Sequence, residues 1–258
     1  MKQNDFQTML RVDSRRMFRS PMFYIFFAIC LVMPILVLVM TTSFAGTAIA
    51  DPNTGTVTEM TAFTNVWQII GSESGAGMMA MDMTSMMNIN LVYFAAGVLL
   101  CLFTAEDFRS GYAKNLFTVR PKKGGYVASK TVVGFLAGVL LLIAFFLGAM
   151  FGGKIAGLSF VLPSAGIPGI VLCMLAKIGL MTVFVAIFLL MAVIAKSKSW
   201  MSILLSLGGG MLLFMMIPMM SPIDAGIGQA GLCLAGGAIF ALAIGAISKT
   251  VLSKSSLV

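Results

Sequence analysis

Six apolar stretches, each long enough to cross a lipid bilayer as a helix, leave this chain few folds to choose from. They run over 21–44, 87–105, 131–152, 169–195, 201–219 and 230–248. A hydrocarbon core of roughly 30 Å needs about 20 helical residues, and lipid offers no partner to an unpaired backbone group. The expected fold class is therefore all-α integral membrane, with six transmembrane helices. Of the 258 residues, 59% are hydrophobic and only 10% charged, which excludes an ordinary soluble domain. The absence of histidine removes the commonest general base and most zinc sites. Cys30, Cys101, Cys173 and Cys233 all lie in apolar runs without CxxC spacing, and read as buried free thiols.

Charge gives the orientation. Of 17 lysines and arginines, all but Lys154 and Lys177 fall on one side of this six-span scheme, while Asp51, Glu59, Glu73, Asp82 and Asp224 fall on the other. The positive-inside rule puts both termini in the cytoplasm. A rival reading takes the first run as a signal peptide cleaved after Ala48-Ile49-Ala50, but the run is about twice the length of a usual apolar region of that kind and contains Pro34. The outer loop, 45–86, is rich in Gly, Thr, Ser and Met and too short for an enzymatic domain. Trp67, Ile69 and Ile70 are expected to dip into the membrane interface.

A proton relay within the membrane needs Asp, Glu or His at depth, and no span carries one well inside. Lys177 is the one deep charge, about eight residues into the fourth span from its outer end. Snorkelling, a helix–helix hydrogen bond and a place along a solute path all remain open for it. Gly124 with Lys130-Thr131 echoes a phosphate-binding loop, but Ser129 occupies the second required glycine and a membrane span follows. If ATP drives this protein, a separate subunit binds it.

The loop after the second run reads Glu106-Asp107-Phe108-Arg109-Ser110-Gly111-Tyr112-Ala113-Lys114-Asn115-Leu116-Phe117, then Arg120-Pro121, and reaches the third run at Ser129-Lys130. On one helix Phe108, Tyr112 and Leu116 would form an apolar stripe at four-residue steps, suited to pressing into a groove on a partner. A helix lying on lipid is the competing reading. The segment resembles the permease subunits of bacterial ABC-2 type ATP-binding-cassette exporters. These join their second and third spans by an acidic-aromatic-x-x-Gly-x-x-Lys-Asn-Leu stretch, a basic-proline turn and a lysine at the next span. Asp107, Phe108, Gly111, Lys114, Asn115 and Leu116 match residue by residue.

The resemblance covers essentially the whole chain apart from the outer loop. It implies a single transmembrane permease domain over 1–258, with an interfacial helix at 1–20 and a coupling helix within 106–130 that receives motion from the ATPase through Asp107, Phe108, Gly111, Tyr112, Lys114, Asn115 and Leu116. It also implies two ABC ATPase subunits that bind ATP and Mg, with no cofactor and no catalysis in this chain, and a second permease subunit, the same or homologous. A multi-pass place in the bacterial cell membrane follows, with lipid and no nucleic acid as surroundings. The expected cargo is an amphipathic peptide, drug or other apolar solute, an antimicrobial peptide being favoured, with Lys177 on the translocation path. Two alternatives are a non-transporting membrane immunity or scaffold protein, and a copper-related ABC permease using the cluster Met78, Met79, Met81, Met83, Met86 and Met87.

In the interfacial helix Phe6, Met9, Leu10 and Met17 share a face that Asp13 interrupts, with Arg11, Arg15 and Arg19 turned outward. Small residues four apart, such as Gly148/Gly152 and Gly237/Ala241/Gly245, favour close helix packing. Gly208-Gly209-Gly210, Pro218 and Pro222 are expected to bend or interrupt the fifth span.

Overall fold

The structure, a computed structural model, describes residues 5–45, 48–50, 57–59, 63–73, 87–119, 123–196, 198–214 and 216–254. The elements in chain order are α1 (Asp5–Arg19), α2 (Pro21–Ser43), a hairpin of β1 (Ala48–Ala50) and β2 (Val57–Glu59), a 3-10 turn (Val66–Ile69), α3 (Leu91–Arg109), α4 (Tyr112–Val119), α5 (Gly124–Ile155), α6 (Gly166–Ala195), α7 (Ser199–Phe214), α8 (Ile217–Met220) and α9 (Ile227–Lys254). Apart from the hairpin, whose antiparallel register sets Ile49 opposite Thr58, and an isolated parallel bridge between Asn65 and Ser159, the regular structure of the described residues is helical.

Among the described residues five helices, α2, α3, α5, α6 and α9, are long and apolar enough to cross a bilayer, so the chain is a multi-pass membrane protein. The fifth apolar run behaves differently. It is divided between α7, whose 16 residues span about 24 Å at 1.5 Å each, and the short α8. The division falls after Phe214 and before Pro218, which opens α8, whereas α7 continues unbroken through Gly208-Gly209-Gly210. At Gly210 a side chain would crowd the rings of Phe188 and Phe94, so that glycine serves close packing and does not act as a hinge.

Backbone approach holds the bundle together. Gly148 and Gly152 of α5 lie against the backbone of α2 at Leu31 and Ile35, where any side chain would push the helices apart. Gly179 of α6 lies in the same way against the backbone of α9 at Cys233, and Gly237 of α9 against that of α6 at Gly179. One end of the bundle, the basic end, gathers α1, the starts of α5 and α7, and the ends of α3, α6 and α9. At the opposite end the chain folds over the helices. Val66, Ile69, Ile70 and Ile89 are fully buried, Ile89 donates its N–H to Ile69 at 2.9 Å, and Ile223 donates to Ser72 at 2.9 Å. Ile69 and Ile70 thus pack within the protein and not in the interface, because the 3-10 turn, capped by Asn65 and Gln68, directs them inward. Trp67 is half-buried against Phe160. Of the methionine cluster, Met78, Met79, Met81, Met83 and Met86 lie outside the described residues.

Candidate functional site

At the basic end, three helices bring buried charge together. Asp13 and Arg16 stand three residues apart on α1, Phe103 and Asp107 four apart on α3, and Tyr126, Ser129 and Lys130 within four on α5. Each set therefore lies on one face of its helix. Lys130 Nζ sits 2.6 Å from Asp107 Oδ2 and 3.1 Å from Asp13 Oδ1. Arg16 extends the chain of ion pairs, 2.7 Å from Asp107 Oδ1. The Tyr126 hydroxyl donates to Asp107 at 3.0 Å and the Ser129 hydroxyl to Asp13 at 2.6 Å. Two carboxylates thus face two cations, a balance that removing any one member would upset.

Taking Asp13, Asp107 and Lys130 out of water, with Arg16 partly so, is costly unless the charges are paired. Aromatic faces add to the pairing. The Lys130 ammonium lies 3.7 Å from the Phe103 ring centroid, and the Arg16 guanidinium 4.2 Å from that of Tyr112. Burial alone would lower the Arg16 pKa, but the adjoining Asp107 carboxylate outweighs it and the value rises above its ordinary one. Burial raises the Tyr112 phenol, and the neighbouring Asp13 carboxylate adds to it.

The loop that carries the family motif hangs from this cluster. Helix α3 ends at Arg109, and Gly111 turns the chain with φ +74°, a conformation that favours glycine. The expected stripe is consequently divided, with Phe108 on α3 and Tyr112 and Leu116 on α4, and all three are half-buried. Phe108 and Phe117 both pack edge-on against Tyr126, at 6.5 and 5.3 Å between ring centroids. Asp107 points into the charge cluster and presents nothing to a partner. What α4 offers outward is Lys114, Asn115, Thr118 and Val119, the last 80% exposed, beside the exposed Glu106–Arg109 ion pair. Arg120, Pro121 and Lys122 lie outside the described residues.

Lys177 lies elsewhere, eleven residues into α6 because that helix begins at Gly166. It is 1% exposed, and its ammonium donates to Asn90 Oδ1 at 2.9 Å and to Ser221 Oγ at 3.0 Å. Its carbonyl accepts from the Tyr93 hydroxyl at 2.9 Å, and the Tyr93 ring stacks on Phe184. It does not snorkel; it is held inside the protein.

Sequence reasoning missed the cluster as a cluster. Asp13, which interrupts the apolar face of α1, is 1% exposed and is the point by which that face docks. Asn90, Ser221, Arg16 and Tyr126 carried no signal, since each partner lies far away in sequence. An acid among arginines on an otherwise apolar face was the one available hint.

The family model described as ABC-2 family transporter protein matches residues 16–213. No curated protein and no solved structure matches the chain.

Proposed function

Because the chain belongs to the ABC-2 family of transporters, and is accordingly a membrane permease component, we propose that it is the permease subunit of an exporter driven by ATP hydrolysed on separate ABC ATPase subunits. It moves an amphipathic or apolar solute out of the cell. The basic end faces the cytoplasm, where 15 of the 17 bases assigned by sequence belong. The divided α7–α8 segment completes a sixth crossing by adding depth after a helix too short to span alone, and a second permease subunit supplies the other half of the pathway.

The observation that carries this reading is the cluster of Asp13, Arg16, Asp107 and Lys130 directly behind α4. A push on the outward face of α4 passes through Phe117 and Tyr126 to α5, and through Arg16 to α1, because those contacts are packed and charge-paired. Such an arrangement suits a chain that receives work from a cytoplasmic motor. An immunity or scaffold protein has no need for a docking helix wired to three others.

The experiment is affinity purification of the tagged chain in mild detergent. Copurification of an ABC ATPase whose hydrolysis responds to solute supports the reading; recovery of the chain without any ATPase overturns it.

A further inference from the structure

Two lysines from distant parts of the chain are drawn together at the basic end. Lys123, just before α5, donates from Nζ to the Leu252 carbonyl of α9 at 2.8 Å. Lys249, three residues earlier on α9, lies back across the start of α5, its Cδ 3.4 Å and its Nζ 4.0 Å from the position a Gly124 Cβ would take. Both ammonium groups thus stand at one α5–α9 junction, Lys123 half-buried and Lys249 exposed.

Like charges so placed repel unless an anion joins them. Among the described residues none does. Asp13 and Asp107 are held by Lys130 and Arg16, Glu106 is held by Arg109, and no carboxylate pairs with Lys123 or Lys249. Capping the last turn of α9 accounts for Lys123, but not for Lys249, whose ammonium meets no acceptor among the described residues. Helix α5 also opens without a side-chain cap, so the N–H groups of its first turn add to the positive field.

What lies next to the lysines decides the partner. Leu242 stands seven residues before Lys249 on the same face of α9 and is 77% exposed, with Ile239 beside it 69% exposed. Seven residues of helix are about 10 Å, so these side chains lie at the depth of acyl chains while Lys249 reaches the headgroups. A second copy meeting this face about a two-fold axis would set lysine against lysine, whereas a phosphodiester supplies the missing charge.

We propose that Lys123 and Lys249 bind the phosphate of an anionic phospholipid in the leaflet at the basic end, with its acyl chains along Leu242 and Ile239. The Lys123 ammonium also lies 5.4 Å from the ring centroid of Phe117, so the bound headgroup stands beside α4, the helix that carries the family motif. The site is independent of the export reading and of which way the chain faces.

The test is native mass spectrometry of the full chain in detergent, given equimolar phosphatidylglycerol and phosphatidylcholine, with inorganic phosphate as competitor in a second arm. Phosphatidylglycerol is expected to be retained in preference, each lysine contributing roughly fivefold. Lys249→Gln changes an exposed side chain and should lower the preference by about that factor with the fold intact. Lys123→Gln, which keeps a donor for the Leu252 carbonyl, should do the same. A chain with both Arg11→Gln and Arg15→Gln, exposed bases on α1, is the control for diffuse charge. An unchanged preference in that control supports the site. A loss there equal to that of Lys249→Gln overturns it, as does equal retention of the two lipids by the parent chain. Displacement by millimolar inorganic phosphate gives the site to a free anion and overturns the phospholipid assignment, while continued retention supports it. The same spectra report assembly: a lipid-free pair of chains that Lys249→Gln separates gives this face to a second copy and overturns the proposal.

Discussion

Lys130 of α5 and Asp107 of α3 meet at 2.6 Å with neither side chain exposed, and Asp13 of α1 shares the same ammonium at 3.1 Å. One cation therefore fixes three helices at the basic end. Replacing Lys130 by Met should be severe, since it leaves two buried carboxylates facing one arginine that is itself partly exposed. A cost of about 3–5 kcal/mol is expected for breaking such a group. Adding Asp13→Asn to Lys130→Met removes one stranded charge and should recover part of the loss. Thermal unfolding of the single and double variants in detergent checks this; a double variant no more stable than Lys130→Met would mean that charge balance is not what holds the cluster.

The outward face of α4 predicts a different pattern for docking. Val119→Asp alters a side chain that is 80% exposed and should release the ATPase while leaving the folded permease intact. Phe108→Asp alters a ring packed on Tyr126 and should lower stability as well. Copurification and melting temperature, measured on both variants, separate the two effects. An ATPase that stays bound to Val119→Asp removes this face as the contact.

The span pattern was legible because lipid imposes it: a run of about 20 apolar residues has few alternatives to a helix. Its ends were less legible. Helix α5 begins at Gly124, seven residues before the apolar run that marked it, because its first two turns pack on α1 and α9 and not on lipid. The interruption of the fifth run is legible in Pro218, which falls in the first turn of α8, but glycine spacing alone does not separate a bend at Gly208-Gly209-Gly210 from close packing there. Motif residues also divided by role. Asp107 is buried and Phe108 half-buried against Tyr126, while Lys114 and Asn115 lie on the surface beyond the turn at Gly111. The Asp13–Lys130 pairing spans more than a hundred residues of chain, and only the packing of α1 on α5 reveals it.

Helix contact through glycine gives a prediction with an internal control. Gly237→Val would force α9 away from the backbone of α6 at Gly179, whereas Gly231→Val, on the same helix, meets open space. Intrinsic helix propensity changes similarly in both, by well under about 1 kcal/mol. Gly237→Val should therefore show a much lower unfolding temperature in detergent than Gly231→Val. Equal losses would place the role of Gly237 outside the α6–α9 contact.

Orientation can be read with introduced cysteines, since the four native ones are buried and give little background. A cysteine at Thr56 should react with a membrane-impermeant thiol reagent added outside intact cells, and one at Lys122 should react only after the membrane is opened. The reverse labelling would turn the basic end outward and remove the cytoplasmic motor from reach of α4.

The charge at Lys177 can be balanced without changing its shape. Asn90→Asp puts a carboxylate oxygen where the amide oxygen now accepts from the ammonium at 2.9 Å, so the cation gains an internal counter-ion at the same volume. The fold should keep or gain thermal stability, because a neutral acceptor is exchanged for a charged one already in position. Thermal unfolding in detergent checks this, with Asn90→Leu as the contrast: removing the acceptor leaves the buried ammonium with Ser221 alone and should lower the unfolding temperature. An Asn90→Asp chain that melts as low as Asn90→Leu would mean that the volume of the Asn90 side chain, and not the charge and hydrogen bonding at Lys177, is what the interior requires.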